Sequence, residues 1–152
     1  MSNSTDHDVK VLNSLIETTI DSAEGYEEAA KDADNTRFAT TFASRAQERA
    51  QVTNQLQKQV RMLGAKPDDD GTVLARAHRM FVNLRNSLSS GDTAVVDEVE
   101  RGEDHIKAKF EDALKDDDLS PPTRSVIMQA YVSVKTGHDQ MRDLKHALHQ
   151  NH

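Results

Sequence analysis

Four stretches of this chain carry apolar residues at alternating three- and four-residue spacing, and each stripe is broken near its middle by a polar or ionisable side chain. Such spacing turns one face of an α-helix toward a core. The third stretch reads Val96, Val99, Glu103, Ile106, Phe110, Ala113, with a carboxylate where the period demands an apolar group. The fourth reads Ile127, Tyr131, Val134, His138, Met141, Lys145, Leu148, with an imidazole in a comparable place. The first is Leu12, Leu15 or Ile16, Thr19, Ala23, Tyr26, Ala30, and the second is Phe38, Phe42, Arg45, Arg49, Val52, Leu56, Leu63. Burying a charge costs several kcal/mol unless it is paired or bound to a metal, so these interruptions mark where to look for chemistry.

Start and stop signals divide the stretches. A helix is predicted over about residues 6–33, opened by Thr5 and Asp8 in capping-box spacing. The second runs over 35–63 and ends at Gly64, with Pro67 beyond it. A shorter helix over 72–88 follows Gly71, with Leu74, Ala77, Phe81, Leu84 and Leu88 on one face. The last two cover 92–115, after Gly91, and 120–149, with Pro121 in the first turn, where proline is favoured. Tight turns make the first and last pairs antiparallel hairpins, whereas the long middle connection carries the chain back along the bundle and leaves its flanking helices parallel. The expected fold is all-α: one domain over 1–152, a four-helix bundle with a short extra helix in the crossover. A simple up-down-up-down bundle with a helical insertion is the alternative.

Composition narrows the function classes. With 4% aromatic and 30% charged residues among 152, the chain suits a bundle closed by small and aliphatic side chains rather than a β-rich fold. A net charge of -7 argues against nucleic acid as a partner. The chain has no cysteine, which excludes disulfides, thiolate metal sites and cysteine nucleophiles. No apolar run reaches the roughly 18 residues of a membrane span, and a cytoplasmic protein is expected. Acids dominate from Asp92 to Asp118, while Thr72 to Gly91 holds Arg76, Arg79 and Arg85 and no acid. The two segments are complementary, although differently charged solvated faces are the simpler reading.

The polar interruptions agree in height. Turns centred near residues 34 and 119 set Thr19 opposite Arg49 and place Glu103 level with Lys135, one turn before His138. Tyr26 and Arg45 complete the set of polar residues at core positions. Gly25, Gly102 and Gly137 lie inside helices, immediately before Tyr26, Glu103 and His138. A glycine there costs about 1 kcal/mol relative to alanine, so a close approach is expected to offset it.

The layout, with Tyr26 on the first helix, Gly102-Glu103 on the third and His138-Asp139 on the fourth, resembles the ferritin and rubrerythrin superfamily over roughly residues 9–148. The closest likeness is to a bacterial branch of small ferritin-like bundles known as a domain of unknown function. In the superfamily, a di-iron site takes one Glu from each of two helices and a Glu-x-x-His pair from each of the other two. The resemblance lays these ligands on Thr19, on Glu103, on Arg49 and Val52, and on Lys135 and His138. Only Glu103 and His138 match, and the sequence contains no Glu-x-x-His.

Two readings follow. In the first, the metal site is lost, and Arg49 and Lys135 act as counter-charges to Glu103 with Asp21 or Glu100. In the second, a shifted site uses Asp21, Glu48, Glu100 or Glu103 with His138 to hold iron or manganese, with Arg45 and Arg49 beside it. The first is favoured, because cations stand where ligands are required. It implies a non-catalytic, self-associating bundle without a cofactor, and the resemblance adds a link to stress protection. A third class, an adaptor for a protein partner, would use Phe81, Leu84 and Leu88 of the 72–91 segment.

Smaller signals carry less. His146, His149 and His152 suit a weak surface chelator but equally a solvated helix end. His78 and Arg79 suit an anion site but equally an exposed basic face. Asp68-Asp69-Asp70-Gly71 lacks the spacing of a calcium loop. No phosphate loop or nucleophile motif occurs.

Overall fold

A computed structural model describes residues 2–33, 36–68 and 91–150, and every regular element among them is helical. The helices are α1 (Ser2–Asp32), α2 (Thr36–Met62), α3 (Asp92–Leu114) and α4 (Pro121–Gln150). The predicted 72–88 helix lies outside the described residues. So do its basic face, its apolar stripe and the proposed pairing with the acidic segment. Among the described residues, no helix is long and apolar enough to cross a membrane.

Contacts between helices define a square. α1 packs against α2 and α3, and α4 packs against the same two. Every side of the square is antiparallel. On the α1/α3 side, Tyr26 meets Glu103 and His7 meets Asp116. On the α2/α4 side, Glu48 meets Ser133 and Gln59 meets Thr123. On the α3/α4 side, Asp97 meets His149 and Glu111 meets Tyr131. It follows that α2 and α3 occupy a diagonal and run parallel, as the sequence predicts, with the end of α2 and the start of α3 at opposite ends of the bundle. The stripe of α3 is buried throughout, from Val96 to Ala113, and meets Leu12, Ile16, Phe42, Leu56, Ile127, Val134 and Met141 in one core. Phe38 stacks on Phe42 of the same helix with ring centroids 6.4 Å apart, and Tyr26 of α1 meets Phe42 in a tilted pair at 6.0 Å.

Helix ends follow local chemistry. At the end of α2, the Ala65 N–H donates to the Val60 carbonyl and the Gly64 N–H to that of Arg61, with Gly64 at φ 83°. This paired pattern needs a left-handed residue, which glycine adopts without steric cost. Arg124 on α4 reaches back to the carbonyls of Leu114 and Asp116, which the end of α3 leaves without intrahelical donors.

Asp8 does not start α1, contrary to the capping-box expectation. The helix begins at Ser2, and Asp8 lies well inside it with only 1% exposure. Its carboxylate instead accepts from the Ser120 N–H at 3.1 Å, from the Ser120 hydroxyl and from the Thr123 hydroxyl at 2.8 Å. It thus caps α4 from another helix, supplying negative charge where the dipole of α4 favours it. The spacing signal was real, but the carboxylate it flagged serves a distant helix start. Asp8→Ala should lower unfolding free energy by about 1–3 kcal/mol, because it strands three donors at once. A urea titration followed by circular dichroism measures this, and an unchanged midpoint would contradict the assignment.

Candidate functional site

At mid-height, the bundle encloses an ion pair that spans its diagonal. Arg49 of α2 is 0% exposed and donates from Nη2 to Glu103 Oε1 of α3 at 2.7 Å, and Glu103 itself is 1% exposed. The other carboxylate oxygen, Oε2, accepts from the Tyr26 hydroxyl of α1 at 2.6 Å. Arg49 Nη1 donates to Ser22 Oγ of α1 at 3.0 Å, and Nη2 lies 3.4 Å from the Val134 carbonyl of α4. The guanidinium carbon stands 5.8 Å from the Tyr26 ring centroid, within range of the attraction between a cation and an aromatic face. All four helices therefore contribute to a single charge-balanced cluster.

The electrostatics are consistent with this geometry. Burial, then the charge of Glu103, push the Tyr26 hydroxyl well above the usual tyrosine range, so it remains a neutral donor. For Arg49, burial is the largest single influence and acts to lower the pKa, but the Glu103 charge, the Tyr26 hydroxyl, the hydrogen bond to Glu103 and the Glu48 charge together outweigh it, and the net direction is upward. Arg49 stays charged.

Gly137 is what admits the guanidinium groups. A Cβ at this position would stand 2.5 Å from Arg49 Nη2 and 3.0 Å from Arg45 Nη1, both closer than van der Waals contact allows. Arg45 is largely buried beside it, with Nη2 2.5 Å from Glu48 Oε2, while Glu48 Oε1 accepts from Ser133 at 2.5 Å. Among the described residues, Arg45 Nε and Nη1 and Arg49 Nε meet no acceptor.

Other residues of the expected layer have different surroundings. Thr19 is fully buried, but its hydroxyl donates to the Leu15 carbonyl of its own helix at 2.7 Å and joins no cluster. Lys135 lies outside the layer: its side chain is 53% exposed and pairs with Asp139 at 3.2 Å. The reason is angular. The buried face of α4 follows Ile127, Ala130, Val134, Gly137, His138 and Met141, and position 135 is turned about 100° away from Val134. His138 is 8% exposed, yet it faces Asp104 rather than Glu103, with Nε2 2.7 Å from Asp104 Oδ1 and Nδ1 3.2 Å from Asp139 Oδ1.

The shifted metal set is likewise divided. Glu103 is committed to Arg49 and Tyr26, Glu48 to Arg45 and Ser133, and Asp21 is buried on α1, 6% exposed. Only Glu100 and His138 come together, with Asp104 as their third member. Sequence reasoning passed over Asp104 because its neighbour Glu103 held the core position. The available signal was its i,i+4 relation to Glu100. It also passed over Ser22, which shares a face of α1 with Tyr26 but is short enough to read as ordinary packing.

The sequence profile of the family described as Domain of unknown function (DUF2383) matches residues 7–116, from α1 through the end of α3. Among curated proteins, no sequence matches the chain.

Two outcomes follow. Gly137→Ala gains about 1 kcal/mol of helix propensity but displaces Arg49 from its pair, so denaturant unfolding should show a net loss of roughly 1–3 kcal/mol. Absorbance titration at 295 nm should find neither of the two tyrosines ionising near pH 10 in the folded protein. Tyr131, which donates to Glu111, is pushed up to about 12, and Tyr26 lies well above its usual value. Because both folded values are raised, the stability they contribute is complete below pH 10 and is lost as pH rises beyond it. A folded-state midpoint near 10 for both would refute the assignment.

Proposed function

The chain belongs to the DUF2383 family, and on that premise we propose that it is a non-catalytic, ferritin-like bundle whose centre is closed by an internal ion pair at the place where the ferritin and rubrerythrin superfamily it resembles holds iron. One observation carries this reading: both oxygens of Glu103 are engaged, one by Arg49 and the other by Tyr26. A divalent ion bound there would have to displace the Tyr26 donor and stand within a few ångströms of a fixed guanidinium, and that repulsion is strong in a dry interior. The parallel diagonal of α2 and α3 supports the ferritin-like comparison, since a long crossover between such helices is the mark of that topology.

On this reading the protein is a scaffold, and its contribution to the cell is made by its surface. Met128 and Val132, spaced i,i+4 on the outer face of α4, are 48% and 60% exposed. They support self-association, with a role in stress protection suggested by the ferritin-like resemblance.

The test is made on chelator-treated protein. Glu103→Gln and Arg49→Met should each cost about 3–5 kcal/mol of unfolding free energy without any metal present, because each leaves an uncompensated buried group. Ferrous iron added in air should oxidise no faster than in buffer. The reading fails if chelated wild type is no more stable than chelated Glu103→Gln, or if the protein accelerates iron oxidation in a way that needs Glu103.

A further inference from the structure

Beside the ionic centre, on the flank of α3 next to Glu103, a groove of about 520 Å³ opens toward α4, lined by Asp97, Glu98, Glu100, Arg101, Asp104 and Lys145 among others. The geometry points to a transition-metal site here, formed by Glu100, Asp104 and His138, that takes a divalent first-row ion such as zinc or manganese. One ligand atom from each of the three lies within 4.8 Å of the other two. Glu100 and Asp104 are one turn apart on α3, and His138 reaches across from α4.

Three observations support the assignment. Glu100 is nine-tenths buried, yet its only partner among the described residues is Lys145 Nζ at 3.3 Å from Oε2, which leaves Oε1 without a donor. A carboxylate held this way has a coordinating oxygen available and a mobile counter-ion, since the Lys145 side chain is 35% exposed and can swing into solvent. Next, Asp104 Oδ1 and His138 Nε2 are already 2.7 Å apart, close to the roughly 3 Å between donor atoms that share one ion at bonds of about 2.0–2.2 Å. Finally, His138 Nδ1 lies 3.2 Å from Asp139 Oδ1. A carboxylate on the far nitrogen fixes the tautomer that turns Nε2 toward a metal.

Two carboxylates and one imidazole make a mixed oxygen and nitrogen donor set with open positions for water. The imidazole disfavours magnesium and calcium, which prefer all-oxygen surroundings. Binding places the ion on Nε2 in place of its proton; from the imidazolium, that proton leaves to solvent while Nδ1–H stays on Asp139. Affinity should therefore weaken as pH falls. The site does not use Glu103, so it stands or falls independently of the ionic centre.

Calorimetric titration with zinc chloride, together with cobalt chloride followed by visible absorbance, provides the test. Wild type should bind one ion per chain, with no comparable response to magnesium chloride. Glu100→Gln, Asp104→Asn and His138→Ala should each weaken binding by about tenfold or more. Asp104→Asn, nearly isosteric and at an exposed position, keeps the test valid if His138→Ala fails to fold. Glu103→Gln, though less stable, should bind as wild type does, and so should His7→Ala and the triple variant His146→Ala, His149→Ala, His152→Ala. Absence of saturable binding overturns the site. So does binding that survives Glu100→Gln and Asp104→Asn, or that disappears with His7 or the C-terminal histidines.

Discussion

A guanidinium and a carboxylate sealed from water at the middle of four helices impose conditions on everything around them. Each ion loses hydration worth several kcal/mol, which is recovered only with close geometry and additional hydrogen bonds. Arg49 and Glu103 meet at 2.7 Å, Tyr26 donates to the second carboxylate oxygen, and Ser22 accepts from Arg49 Nη1. The two ions sit on the diagonal pair α2 and α3, so they couple helices that make little other contact. A shift of either helix by one residue would turn its ion away by about 100° and leave the other uncompensated. The pair thus specifies register more than it adds stability. The glycine at position 137 follows from the same demand, since the fourth helix must come close to a group as wide as a guanidinium without a Cβ in its path.

Much of this was legible in the sequence, for a definable reason. Helical periodicity is local, so the stripes of α3 and α4 and the starts at Gly91 and Ser120 could be read directly. Glu103 and Arg49 were visible because each interrupts a stripe whose other members are apolar. Lys135 could not be placed as well. Height along a bundle is read to within a turn, but facing direction changes by about 100° per residue, so Val134 faces the core and Lys135 faces solvent. Asp8 shows a different limit. Its spacing from Thr5 is that of a capping box, and only the packing of α1 against the α3/α4 turn reveals that it caps α4.

Neighbouring residues on α3 have opposite assignments. Glu103 points inward to a permanent cation and a neutral phenol, whereas Asp104 points outward to an imidazole and lies one turn from Glu100. The same helix therefore carries a closed, charge-balanced centre on its inner face and the donors of the proposed metal site on the adjoining flank. Iron-type chemistry at the bundle centre and metal binding at its edge are physically separable questions, because different carboxylates answer them.

The claim on which the whole account depends is that Arg49 and Glu103 act as one unit. A double-mutant cycle on unfolding free energy, using Arg49→Met, Glu103→Gln and their combination in chelator-treated protein, measures that directly. The account predicts that the double variant costs less than the two single losses together by roughly 2 kcal/mol or more, since removing both ions leaves no stranded charge. Additivity within about 0.5 kcal/mol would contradict it, and would mean that the two side chains are buried side by side without being energetically coupled.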